Sequence, residues 1–416
     1  MSSSASLASL TLPFVFLLSA CGGARDVGDV TLVTERTTLG DTTFVRVVSG
    51  SVWGSQILAV EEMSIGALDG PDEFTFGFIS QMLPDASGGL YLFDGNAPAL
   101  RYYDADGRFV RKVGGEGAGP GEYQDAVLGL AFRGDGRLAM WDARNGRLNV
   151  YNPDGSYADA WPVASGLFTS QAMTIDTLDD IYLKILLGRP QENEPWPIGL
   201  LHLDPEGVIV DTIPPPTIDG EPTKVADGRF LPGKRWTLSR YGQMIIGVSD
   251  DYRFEIRNPD GTIVRVEKEW TPVPLGSEEK REWQAFLDWR WERQRQFITA
   301  DLKPIPDQKP AYQGFFPGLD GTIWVRLHVP AEKRDVPAEP GPDDPPAITW
   351  AEPQVFDAFE ADGTYLGQVR IPPRTSISVF SRTDLWGVRR GDLDEQYAVR
   401  LRVEDPREIT ETSPDH

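Results

Sequence analysis

A turn of one chemistry returns five times along this chain, and it restricts what the chain can fold into. The copies are Asp104-Ala-Asp-Gly107, Asn152-Pro-Asp-Gly155, Asp204-Pro-Glu-Gly207, Asn258-Pro-Asp-Gly261 and Glu360-Ala-Asp-Gly363. Each follows a short apolar strand and leads into another. Pro pre-sets φ and Gly accepts positive φ, so each copy predicts a tight hairpin. Measured at the turn glycine, the intervals are 48, 52, 54 and 102 residues. The first three are the length of a four-stranded propeller blade with its loops. The fourth is about twice that, so a blade has been missed or one is swollen by insertions.

Each repeat also has an upstream half, a Gly/Asp turn before a strand of strong β-formers. It occurs six times, beginning near Ser87, Gly134, Asp179, Tyr241, Asp320 and Thr383. The sixth copy is followed by only one more strand, Tyr397 to Val403, and lacks a fourth. The segment from Ile57 to Gly66 supplies it: it mirrors the outer strand Val110 to Gly114, and both run into Gly-Pro-x-Glu-aromatic. A ring needs closure to remove two raw sheet edges, so this N-terminal strand is expected to pair with the last blade. Tyr91, Tyr182, Trp324 and Trp386 share one register and are expected to pack between blades.

The stretch from Gly88 to Tyr123 resembles an NHL-type repeat, whose pattern is Gly-x-Leu-Tyr-Val-x-Asp, Asn, Arg-apolar, Asp-x-x-Gly. From about residue 40 to 404 the chain is similar to bacterial six-bladed β-propeller lipoproteins related to NHL and TolB-like propellers. The first two blades match well, the third and fourth are degenerate, and the fifth carries insertions. The resemblance implies an all-β, six-bladed propeller of four-stranded antiparallel blades with one inserted helix. Such a match speaks to fold rather than function.

The N-terminus carries a short apolar run, Leu12 to Leu18, then Ser19-Ala20-Cys21. The run is too short to span a membrane and fits a secretory h-region. Leu18-Ser19-Ala20-Cys21 resembles a bacterial lipobox, which implies a signal peptide over 1–20, a lipidated Cys21, and a lipid-anchored protein of the cell envelope. Residues 2–10 contain no Lys or Arg, a departure from the usual positive n-region. Residues 21–41 read as a polar tether, 42–404 as the ring, and 405–416 as a disordered tail. Cys21 is the single cysteine, so no intrachain disulfide can form. The formal charge of −23 repels polyphosphate and argues against nucleic-acid binding. It also gives no attraction to anionic lipid, leaving membrane attachment to the acyl chains.

Two insertions account for the long interval. Residues 274–310, between blades four and five, open with Ser277-Glu-Glu-Lys and continue with apolar residues at helical spacing, predicting a helix over 278–299. Residues 331–349, inside blade five, are dense in Pro and Asp and read as a loop. In a blade, both Asp-x-x-Gly turns and strand-one-to-two turns lie on one face. The insertions fall on the other. The helix is either cladding or a lid over a binding face. Trp283 and Trp291 fit its buried stripe, whereas Trp289 lies at the edge, where a ring can meet a partner.

Catalytic signatures are sparse. The three histidines, His202, His328 and His416, have no metal-ligand spacing, and there is no Gly-x-Ser-x-Gly elbow. Asp94, Asp142, Asp250, Asp251, Asp392, Asp394 and Glu395 fall on the insertion face, where converging acids could bind Ca²⁺ or simply form a solvated rim. No other cofactor is expected. Two readings follow. In one, the propeller is a binding module for a protein, peptide or glycan. In the other, it is a lactonase-like hydrolase or lyase with a metal in its channel. An axial cluster of acids would favour the enzyme; a channel mouth lined by aromatics and Arg would favour binding.

Overall fold

The computed structural model describes residues 31–404 apart from 55, 126, 164–167, 190, 192–193, 195, 223–225, 295–300, 335–340 and 342. Signal peptide, Cys21, the first part of the tether and the tail lie outside the described residues.

Six antiparallel sheets form the blades. Blade one holds Ile79–Pro84, Leu90–Asp94, Ala99–Tyr103 and Phe109–Val113 from the axis outward. Blade two runs from Val127–Phe132 to Tyr157–Pro162, and blade three from Phe168–Ile175 to Ile209–Ile213. Blade four spans Lys234–Leu238 to Ile263–Lys268, and blade five Tyr312–Pro317 to Tyr365–Arg370. Blade six has Thr375–Phe380, Asp384–Arg390 and Gln396–Arg402 of its own. The second strands of blades one and two, LYLFD and LAMWD, are buried at every position, because a neighbouring blade covers each side of the sheet. The fourth strand of blade one is an open edge that carries Arg111 and Lys112, which discourages pairing with another chain.

The recurring turns fold as their chemistry requires. Gly107, Gly155, Gly207, Gly261 and Gly363 all have φ between 77 and 86°. In the first copy the Asp104 carboxylate accepts the N–H groups of Asp106 and Arg108.

Val60–Ile65 pairs antiparallel with Gln396–Arg402, from Ala398↔Ile65 to Arg402↔Val60, and completes blade six as the sequence implied. The Gln396 side chain adds a bond across the junction, accepting Ile79 N–H at 2.9 Å. The interblade aromatics behave similarly. Tyr91, Trp324 and Trp386 are buried, and Trp324 and Trp386 lie in clusters shared with blades six and one. Tyr182 is only half-buried and stacks on His202 at 4.8 Å.

The N-terminal tether is corrected by the structure from residue 33 onward. Val33–Leu39 and Thr42–Ser49 form a hairpin, and its second strand runs parallel to Ile263–Lys268, giving blade four six strands. The segment is rich in Thr and Val, residues suited to a pleated surface, and it buries Val45 and Val47. Arg36 then reaches the Asp-x-x-Gly turn of blade five, bonding Asp362 O at 2.9 Å and Thr364 Oγ1 at 2.7 Å. Ile57–Leu58 adds to blade five before the chain reaches blade six. Residues 33–65 therefore cover three successive outer edges, and residues 42–49 belong to an edge cover rather than to a blade of the ring proper.

The helix occupies Ser277–Gln294, and the rest of its expected span, 295–299, lies outside the described residues. Val273–Pro274 pairs with Gln308–Lys309 at its base. The loop inside blade five has a short stem, Glu332–Lys333 on Trp350–Ala351. The insertions hold each other: Glu282 accepts both Thr349 N–H and Thr349 Oγ1–H at 2.7 Å.

Candidate functional site

The inner strands of all six blades surround a cavity of about 1270 Å³. Its lining comes from the later halves of those strands and from the turns between strands one and two, so it belongs to the turn face. None of the lining residues is contributed by the two insertions.

Much of the wall is aromatic and aliphatic, including Phe132, Trp236, Phe315, Phe316 and Phe380. Five cationic side chains also line it, Arg111, Lys184, Arg133, Arg235 and Arg240, against the single carboxylate of Asp85. Asp85 is already committed, accepting Tyr102 O–H at 2.7 Å and the N–H groups of Ser87 and Gly89. Burial alone would push its pKa up, but these bonds hold it below the ordinary carboxylate value.

The cations are held by their non-polar sides and by sparse hydrogen bonds. Arg111 lies over the Tyr102 ring at 4.4 Å and bonds Tyr91 Oη and Pro153 O. Arg133 is 7 % exposed, lies 5.1 Å from the Trp161 ring, and comes no nearer than 3.7 Å to the carboxylates of Asp179 and Asp135. Its buried Nε and Nη1 have no hydrogen-bond partner among the described residues, nor has Arg240 Nε. Arg235 donates to Gln313 O at 2.9 Å, and burial lowers its pKa. Lys184 donates to Trp236 O at 3.2 Å, sits over that indole at 4.2 Å, and is pushed down to about 8 by burial.

These residues escaped the sequence reading, though one trace of them is there. The first position of the strand-one-to-two turn is Asp85, Asp176 and Ser239 in blades one, three and four, and each caps its own turn. Blade two has Arg133 at that position, where its backbone makes the same turn bond to Arg137 O. An acceptor replaced by a cation there puts a guanidinium at the border of the cavity.

The acids singled out from sequence do not converge. Asp94 and Asp142 are fully buried at the ends of their strands. Asp94 accepts N–H groups from Gly77, Phe78, Asn96 and Ala97, and Asp142 is bonded by Asn145 through its backbone and side chain. They pin loops instead of facing a ligand. Asp250 and Asp251 are exposed, and Asp251 accepts Trp270 Nε1–H at 3.1 Å. Asp392 pairs with Arg374, Asp394 with Arg390, and Glu395 caps its own turn at Leu393. Among the described residues, no three of His, Cys, Asp and Glu stand together as metal ligands would. Trp289 is half-buried, packed on Phe286 at 6.1 Å with Arg293 4.8 Å from its ring.

The insertion face holds a different group of charges. Lys309 Nζ, wholly buried, lies 2.7 Å from Glu279 Oε1 of the helix and 2.7 Å from Glu352 Oε1, and donates to Val329 O. His328 Nδ1 is 3.0 Å from Glu352 Oε2, and Gln313 donates to the same oxygen at 2.9 Å. Burial pushes the Glu352 carboxyl up, but the bonds from His328 and Lys309 prevail and hold it below its ordinary value. Phe230, at a positive φ of 61°, wedges its ring between Trp283 of the helix and His328. With Leu287 and Ile305 it forms the small apolar core under the helix. Of the expected stripe, Leu287 is buried and Trp283, Phe286 and Trp291 are half-buried, while Phe297 and Ile298 lie outside the described residues.

Residues 59–158 match a family model described as a 6-bladed beta-propeller. No curated protein matches. Similar solved structures include a candidate exported protein of Bacteroides fragilis, 10% identical, with a TM-score of 0.47 over 84% of this chain and 98% of that one. A Bacteroides vulgatus protein of the DUF4221 family is 13% identical, with a TM-score of 0.49 over 84% and 99%. Virginiamycin B lyase of Staphylococcus aureus is 10% identical, with a TM-score of 0.36 over 82% and 87%. At these identities and scores, no activity transfers. The six blades, with the family match over 59–158, identify the chain as a six-bladed β-propeller.

Proposed function

We propose that this protein is a lipid-anchored binding module of the bacterial cell envelope whose ligand enters the central channel from the turn face. The observation that carries the reading is the 1270 Å³ cavity, walled by aromatics and arginines contributed by all six blades. A concave, largely apolar site with a few polar groups suits a small molecule or the end of a peptide or glycan. Asp94 and Asp142 are bonded within their own loops, and the proposed ligand site does not draw on the rim acids. The envelope address rests on the Leu18-Ser19-Ala20-Cys21 run alone.

Gly314 offers a direct test. It lines the channel, and a Cβ built there meets nothing within 4 Å. Gly314→Trp should fill the cavity without unfolding the ring. Nile red, a neutral apolar dye, should bind the native protein saturably and the variant at least tenfold more weakly. Equal binding to both would remove the channel as the site. For the anchor, Cys21→Ser should leave the precursor uncleaved and unlabelled by palmitate; normal processing and membrane partition would refute it.

A further inference from the structure

Resting on the channel reading, we infer that the ligand is an amphipathic anion, an apolar body carrying a carboxylate or similar singly charged head. The argument is one of charge placement. The chain as a whole has 63 acidic and 40 basic side chains. The channel cavity reverses that balance, with five cations and one carboxylate that is already bonded. A concave site lined by one sign of charge, with low-dielectric walls, focuses its field on whatever enters. Among the described residues, buried nitrogens of Arg133 and Arg240 make no hydrogen bond, which costs free energy, and a bound anion would supply the acceptors.

The cavity is also divided. Arg133, Lys184, Arg235 and Arg240 come from blades two to four, whereas Phe315, Phe316, Phe380 and Val379 come from blades five and six. Cations confined to one part of a largely apolar wall select a ligand with both characters over a fully hydrated ion. Arg133 gives the strongest local sign, since its side chain is more than nine-tenths buried, borders the cavity, and leaves Nε and Nη1 without hydrogen bonds among the described residues.

Decanoate, decyltrimethylammonium and the dye Nile red separate the possibilities. In the full-length native protein, decanoate should displace Nile red at a tenth or less of the concentration needed for decyltrimethylammonium. Raising the salt from low to high should weaken decanoate selectively. Arg240→Gln should cost decanoate at least about fivefold in affinity, each value normalised to the dye affinity of that variant. Lys184→Gln serves as a second variant should Arg240→Gln fold poorly. Direct calorimetry of decanoate reads the charge preference even if the dye finds no site. Equal competition by anion and cation would overturn the inference while leaving the channel reading intact. Dye binding that survives Gly314→Trp would instead overturn the channel reading.

Discussion

The two faces of the ring both bury charge, and they do so in opposite ways. Under the helix, Lys309 is met by two carboxylates at 2.7 Å and a backbone carbonyl, and Glu352 is further bonded by His328 and Gln313. On the turn face, five cations border a void with one carboxylate among them, and buried nitrogens of Arg133 and Arg240 have no hydrogen-bond partner among the described residues. A network whose members satisfy one another has no use for a ligand; it fixes the insertion to the ring. Buried guanidinium nitrogens without hydrogen bonds beside an open cavity, as at Arg133 and Arg240, are what the proposed anionic ligand would satisfy. On the function proposed above, the working site lies not on the insertion face, where departures from the repeat pointed, but on the face made only of repeats.

The largest expected effect comes from breaking the satisfied side. Lys309→Met leaves Glu279 and Glu352 buried without their shared cation, and should cost about 3–5 kcal/mol in denaturant unfolding. A loss below about 1 kcal/mol would show that the cluster is not what holds the helix. Acid should do the same reversibly. Glu352 has a folded pKa below its ordinary value of 4.5, so its contribution is present above that pH and is lost as the pH falls through the folded value. Hydrogen exchange at Ser277–Gln294, corrected for intrinsic rates, should therefore lose protection in that window while the inner strands keep theirs. In Lys309→Met the onset should move to higher pH. Simultaneous loss in helix and blades would contradict a separately latched insertion.

The smallest expected effect sharpens the comparison from the other direction. Trp289 rests on Phe286 and under Arg293, half-exposed on the helix. Trp289→Ala should cost about 1 kcal/mol or less and leave Nile red binding unchanged. A clear fall in dye affinity would connect the helix to the channel and return the working site to the insertion face.

The sequence determined the ring by itself, because blades are built from local signals. Gly107 and its four counterparts need positive φ, each hairpin is set by a few adjacent residues, and the strand missing from the C-terminus had to come from somewhere. Six blades, closure by Val60–Ile65, and the placement of both insertions were all legible for that reason. The hairpin of residues 33–49 was not, since a polar, Thr-rich segment becomes a strand only where an open edge such as that of Ile263–Lys268 accepts it. Asp94 and Asp142 misled because composition tells that an acid is present but not that four backbone N–H groups or an Asn converge on it. The channel was decided only by the tertiary structure. Arg133, Lys184, Arg235 and Arg240 are scattered over more than a hundred residues and three blades, and each is unremarkable within its own strand or turn. They become a site only because the ring brings blades two, three and four around one axis, and charge acts through space rather than along the chain.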